Sequence, residues 1–407
     1  MSLADSSSLS QGATKASAAV RGAKPAGRIR DPRLDFFRGT VMFIILIAHV
    51  PGNWFTLWIP ARFGFSDATE VFVFCSGMAS AIAFGSVFRN QGLLMGAARV
   101  AYRCWQVYWA HIGLFVAIAA TMVLLNASEL FDTDYVGQLN LYPFFKSTDQ
   151  SLVGLLTLTY VPNYFDILPM YLVVLAMMPL VIACHRLHPL VALALVLGVW
   201  LGAQTDLLAL PAEPWSAREW FFNPFGWQLV FFTGFAFMSG WLPAPPRDTR
   251  LVILAAIVVI VIVPLEYYRI TRHLPAVIAW RNDYAILIDK TDFGILRYVH
   301  FLALAYLCWV AVGEAGRRIL PPEGNGAVAS VWRRTLAVIM KVGQQSLAVF
   351  ITSMFIARLL GVALDVLGGS SLFNQVLVNA TGFAILIAVA YGVGWFKSEP
   401  WRKKGAA

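Results

Sequence analysis

The chain has 407 residues, 59% of them hydrophobic and only 13% charged, with a mean hydropathy of +0.68. Soluble domains carry far more charge, so this composition excludes an ordinary soluble globular protein. It points to an all-α polytopic bundle of membrane helices, in which backbone polar groups are satisfied within each helix. The net charge of +9 fits Lys and Arg collecting in cytoplasmic loops. Nucleic acid is not an expected partner, because no basic surface interleaved with aromatics appears.

Residues 1–30 are rich in Ser, Ala, Gly and Lys and almost lack acids. They are expected to form a disordered basic cytosolic tail that pins orientation. No removable signal peptide is expected, since the first apolar run is long and has no small-residue cleavage site. Residues 31–396 read as one membrane domain, and 397–407 as a second basic cytosolic tail.

About 20 mostly apolar residues cross a bilayer. By that measure ten spans are predicted, near 36–56, 68–88, 104–126, 164–184, 189–210, 224–242, 250–267, 296–314, 342–364 and 372–396. With the N- and C-termini both cytosolic, the tails and alternate loops, including a basic 314–341 loop, hold most of the 31 Lys and Arg. Arg358 falls inside a span. Two long outer segments, 127–163 and 268–295, show no clear domain. There is no repeat at a fixed period and no pair of matching halves such as many transporters show. The four cysteines are scattered along apolar segments without a CxxC or Cys/His cluster, so they read as packing residues and not as metal ligands.

Ionisable residues inside a membrane are costly and usually mark a site. The stretch RLDFFRGTVMFIILIAHVPGN, Arg33 to Asn53, holds several. At 100° per residue, Asp35, Arg38, His49 and Asn53 share one stripe of a helix. Arg38 and His49 would stand about 17 Å apart along the axis. The plain alternatives are an acid capping the helix start, a snorkelling arginine and one hydrogen-bonded buried histidine. For His49 the functional reading is favoured.

In FGFSDATEVFVFCSG, Phe63 to Gly77, Asp67 and Glu70 are three residues apart and resemble a capping box, while facing the same outer vestibule as Asn53. In NYFDILP, Asn163 and Asp166 are expected to cap the fourth span. In NPFGWQLVFFTG, Asn223 precedes Pro224 as an N-cap, and Trp227 reads as an interfacial anchor. In DKTDFGILRYVHFLALAY, Asp289 to Tyr306, Arg297 and His300 share a face. His111 reads as structural. Gln344, Gln345 and Ser346 of GQQSLAVFITS read as polar contacts between helices. No GxSxG, HExxH or phosphate-binding glycine loop supports a hydrolase, a protease or a metal centre.

Taken in order, RLDFFRG, His49-Val50-Pro51-Gly52-Asn53, FGFSDATEVFVFCSG, NYFDILP, NPFGWQLVFFTG, DKTDFGILRYVHFLALAY and GQQSLAVF resemble the OpgC proteins, within the wider acyltransferase-3 group of membrane acyltransferases. The resemblance covers roughly residues 31–396. It implies a bacterial inner-membrane enzyme of about ten helices that adds succinyl groups to osmoregulated periplasmic glucans. The donor would be cytosolic succinyl-CoA, a co-substrate and not a permanently bound cofactor. Proteins of glucan synthesis are candidate partners beside the lipid bilayer. The group's functional hallmarks fall on Asp35, Arg38 and His49.

The residue types fit such a reaction. Arg38 is placed to hold CoA phosphates, and His49 to act as general base on a glucan hydroxyl. Asp35 would orient Arg38. An oxyanion donor is required, for which Asn53 and the outer asparagines are candidates. Arg297 or Lys290 would neutralise the succinyl carboxylate, and Asp67, Glu70, Asn163, Asp166 and His300 would complete the acceptor side. Rival readings are a glycan or lipid-linked sugar transporter or flippase, an acyltransferase for another surface glycan, and a non-catalytic scaffold.

Overall fold

The computed structural model describes residues 31–128, 132–324 and 326–402. The tail expected over 1–30, and the end of that over 397–407, lie outside them. The first helix, α1 (Pro32–His49), begins where Asp31 accepts the Arg33 N–H at 3.0 Å and Pro32 fills a position that needs no N–H. The predicted 36–56 span stops early. Pro51 bars the helical conformation at Val50, which is extended at φ −76° and ψ 114°. His49 therefore ends a helix instead of sitting within one.

The next helix, α2 (Ala68–Ala127), unites two predicted spans in 60 residues. A straight rod of that length would measure about 90 Å, some three times the hydrocarbon thickness. Gly92 breaks it with φ 89° and ψ 178°, and the Phe88 ring reaches Gly96 across the break. The segment is thus two arms bent at a glycine, the residue that takes this backbone without a side-chain clash. Then follow α3 (Ile167–Leu187), α4 (Pro189–Gln204), α5 (Pro224–Ser239), α6 (Thr249–Glu266) and α7 (Ile295–Ala311), each on a predicted span. Asn223 caps α5 by accepting the Phe225 N–H at 3.0 Å, as its sequence predicts.

Three helices close the chain: α8 (Ala327–Gln344), α9 (Ser346–Leu367) and α10 (Leu372–Lys397). The sequence places a basic loop where α8 lies. Its apolar positions are diluted by polar and basic ones, so mean hydropathy hides it. Ala329, Leu336 and Val342 turn inward while Arg333 and Arg334 stay exposed. Among the described residues there is no strand, only an isolated bridge between Pro211 and Glu219. Five helices, α2, α3, α6, α9 and α10, are long and apolar enough to cross a bilayer. On α6 the residues Ile253, Leu254, Ile257, Ile260 and Val261 all face outward, which suits lipid and not water.

Small residues let the helices approach at backbone distance. A Cβ on Gly39 would strike the Ile339 carbonyl, and one on Gly343 the Asp35 carbonyl, so α1 and α8 meet through two glycines. Gly77 and Gly234 join α2 to α5 in the same way, against the carbonyls of Phe231 and Phe74. Gly343→Val is expected to cost about 1–3 kcal/mol by overpacking and to lower the thermal midpoint of the detergent-solubilised protein. Gly113→Ala, whose added carbon meets nothing, should leave it unchanged. Equal midpoints for both variants would rule out this α1–α8 contact.

Candidate active site

His49 is the last residue of α1, and its Nδ1 lies 2.7 Å from the Ile45 carbonyl one turn back. A carbonyl only accepts, so Nδ1 carries the proton and Nε2 keeps its lone pair. Nε2 has no hydrogen-bond partner among the described residues, and the ring remains partly exposed. The turn that follows is held by α10. Asn53 and Asn379 exchange side-chain amide hydrogen bonds of 2.9 and 3.0 Å. Gln375 donates to the Gly52 carbonyl and accepts the Trp54 N–H, both at 3.0 Å. The second amide hydrogen of Asn53 goes to the Ile47 carbonyl at 3.2 Å, and its oxygen accepts the Phe55 N–H. Both Asn53 donors are therefore engaged. Asn53 positions His49 and has no spare donor for an oxyanion.

Tyr164 stands edge-on to His49, with ring centroids 5.4 Å apart. Its backbone is left-handed, at φ 85°, a conformation a non-glycine residue adopts only when its surroundings impose it. Its hydroxyl donates to the Met354 carbonyl of α9 at 2.6 Å, and the Arg358 guanidinium lies over its ring at 4.0 Å. His49 thus packs on a tyrosine that α9 holds through the Met354 carbonyl and Arg358.

Beside it, four charged residues join the start of α2 to α7. Asp67 and Glu70 form the expected capping box: Asp67 accepts the Thr69 N–H and its own N–H goes to Glu70, both at 2.7 Å. Lys290 Nζ meets Asp67 at 2.6 Å, and Arg297 meets Glu70 at 2.5 Å and Asp67 at 3.8 Å. Glu70 is fully buried and Arg297 nearly so. Arg297 is thus occupied by a carboxylate of this chain, which removes it as the counter-ion for an acyl carboxylate. His300 Nδ1 accepts from the Ser66 N–H at 3.1 Å and lies 2.7 Å from the Ser66 hydroxyl, so it braces the same helix start. Trp227 is not an interfacial anchor. It is fully buried, and its Nε1 donates to the Lys290 carbonyl at 2.9 Å, fixing the lysine's backbone.

Asn163 and Asp166 flank Tyr164 and belong to a separate outer scaffold. Asp166 does not cap α3, because its carboxylate accepts the Phe221 N–H at 3.1 Å. Asn163 accepts from Arg218, which also binds the Val161 carbonyl and Glu213. At the other end of α1, Asp35 is buried and Arg38 donates to the Ser346 hydroxyl at the start of α9. The eleven residues from Arg38 to His49 set these ends about 17 Å apart. The structure therefore groups His49, Asp67, Glu70, Lys290, Arg297 and His300 at one end of the bundle, and Asp35 with Arg38 at the other.

Tyr164, Arg358, Gln375 and Asn379 carry the geometry around His49 without having been singled out as site residues. For Arg358 a cation inside an apolar span was the available signal. For the two amides it was a pair of polar residues one turn apart in α10. Tyr164 gave none, since its position depends on the fold.

A family model described as OpgC protein matches residues 30–398. No curated protein and no solved structure matches the chain.

Two outcomes test this geometry. Asn379→Leu leaves the Asn53 amide unsatisfied, at a cost of about 1–3 kcal/mol, and should lower the thermal midpoint while the helix content by circular dichroism is kept. An unchanged midpoint would mean that the amide pair does not hold the turn. In the outer scaffold, burial would raise the Glu213 carboxyl, but hydrogen bonds from Ser216 and Arg218 and the Arg218 charge outweigh it and hold it below the usual carboxylate range. The stability from that ionised form is present above the unfolded-state value and is lost as pH falls through the folded one. The midpoint difference between wild type and Glu213→Gln should therefore shrink steadily between pH 6 and strongly acidic conditions. A difference constant with pH would contradict the assignment.

Proposed function

The chain belongs to the OpgC family, which implies a glucan-modifying acyltransferase, and on that premise we propose that it succinylates osmoregulated periplasmic glucans across the bacterial inner membrane. The donor is cytosolic succinyl-CoA and the enzyme a membrane-bound O-acyltransferase of the acyltransferase-3 type. It crosses the bilayer about ten times with both ends in the cytosol. The observation that carries this reading is the unpartnered Nε2 of His49, fixed in one tautomer beside a cluster of charges.

On this reading CoA docks where Arg38 and Ser346 meet, with the guanidinium on its phosphates. The pantetheine arm follows α1, whose rise of about 17 Å from Arg38 to His49 is of the right order for it. A glucan hydroxyl enters from the opposite side, and Nε2 takes its proton as the oxygen attacks the thioester carbon. A C–O bond forms, the C–S bond breaks, and the proton passes from the imidazolium to the departing thiolate. The Ile45 carbonyl steadies the imidazolium through Nδ1–H. Neither nucleophile nor acyl group rests on the protein.

His49→Ala should lower succinyl transfer by roughly 10²–10⁴-fold, the usual contribution of a general base. The measurement is mass spectrometry of periplasmic glucans from a deletion strain complemented with wild type or variant, read for succinyl half-esters. Wild-type levels of half-ester in the His49→Ala strain would end the general-base role. Unmodified glucan in both strains would end the transferase reading.

A further inference from the structure

The site holds three cations, and two of them are answered by acids of this chain. Lys290 pairs with Asp67 and Arg297 with Glu70. Arg358 is different. It is the single cation of α9, and the helix's one acid, Asp365, lies two turns further on, where it takes the Tyr135 hydroxyl at 2.9 Å. Among the described residues no carboxylate pairs with Arg358, and its enclosed Nε has no hydrogen-bond partner. A half-buried cation inside an apolar helix, with no acid of the chain beside it, is kept where something else supplies the negative charge.

The guanidinium is also held in place. Its carbon lies over the Tyr164 ring at 4.0 Å, and the Tyr164 hydroxyl is tied to the Met354 carbonyl one turn earlier on the same helix. A planar fork fixed this way is preorganised for a carboxylate, which it binds through two parallel N–H donors. Tyr164 also fixes its distance from the base. With 5.4 Å from Tyr164 to His49 and 4.0 Å to Arg358, the guanidinium carbon and the imidazole are within about 9 Å of each other.

We propose that Arg358 is the specificity-determining residue of the site, binding the free carboxylate of a four-carbon dicarboxylic acyl group while its thioester end lies at His49. This rests on the acyl-transfer reading above. The end carbons of such a group are about 4 Å apart. A contact of about 3 Å from the guanidinium to the carboxylate then leaves the thioester carbon on the His49 side of Tyr164, where a hydroxyl hydrogen-bonded to Nε2 attacks it. The CoA phosphates do not compete for this cation, because Arg38 takes them at the far end of α1. Acetyl, with no second carboxylate, gains nothing from Arg358.

The test uses full-length protein in detergent, as wild type, Arg358→Gln and Arg358→Lys, with two readouts. Transfer to glucan is measured from succinyl-CoA and from acetyl-CoA, and the thermal shift is measured with sodium succinate against sodium acetate. Arg358→Gln should lose about 100-fold in succinyl transfer and far less in acetyl transfer, so that the ratio of the two rates falls at least about tenfold. Arg358→Lys keeps the charge without the fork and should raise the KM for succinyl-CoA more than it lowers kcat. Succinate should stabilise wild type and not Arg358→Gln. Equal loss of both transfers in Arg358→Gln, or an equal succinate shift in wild type and variant, overturns the proposal. A succinate shift that depends on Arg358 in a wild type unable to transfer either acyl group would uphold the carboxylate site and refute the transferase reading.

Discussion

Two ion pairs, Lys290–Asp67 and Arg297–Glu70, tie the start of α2 to the start of α7 inside an apolar bundle. Arg297–Glu70 is buried, and removing one partner of such a pair typically costs about 3–5 kcal/mol, because the other is left as an unanswered charge. The pairs therefore fix the register of two helices that are far apart in the chain. They also settle the electrostatics of the site, because the four charges cancel. What remains beside His49 is the field of Arg358, which no acid of the described chain offsets.

The imidazole depends on a second, polar constraint. A proline ends α1 and turns the chain, and of the residues in that turn only Val50 and Asn53 are buried. Apolar packing alone would hold so short a segment loosely. Asn53, Gln375 and Asn379 instead hold it through a closed set of hydrogen bonds in which both Asn53 donors are used. In a low-dielectric surrounding, such a satisfied network specifies one geometry strongly, since every alternative leaves a polar group unpaired. The orientation of His49 is thus inherited from α10, more than 300 residues later in the sequence.

Much of this was legible in the sequence where the signal is local. Long apolar runs place α3 to α7, α9 and α10 because each helix must match the bilayer by itself. The Asp67–Glu70 capping box and the Asn223-Pro224 cap are read from spacings of one to three residues. Local signals fail where competing physics is averaged away. Hydropathy runs through Pro51 and so overextends α1, and it undervalues α8, whose apolar stripe is diluted by Arg333, Arg334 and Lys341. Long-range pairings were beyond reach. Nothing near Arg297 says that Glu70 claims its charge, and nothing near Trp227 says that it is buried under the Lys290 loop.

The two ends of α1 are gripped in different ways, by backbone contact at its start and by side-chain amides at its end. At its start, Gly39 and Gly343 bring backbone against backbone, and its middle is buried through Val41, Met42, Ile45 and Leu46. At its end the amide network takes over. α1 is therefore a strut, and the separation of Arg38 from His49 is set by helix rise and not by side-chain choice. Other elements are held less firmly than this strut. The outer segment before α7 is of that kind: its short helices Tyr268–Thr271, Pro275–Asp283 and Ala285–Ile288 bury no residue at all, whereas Phe293, just beyond Lys290, is fully buried. Local opening is cheapest where few apolar contacts are lost. The sparsely packed outer segment thus ends at the Lys290–Asp67 pair, while α1 is fixed between its backbone contacts and the amide network.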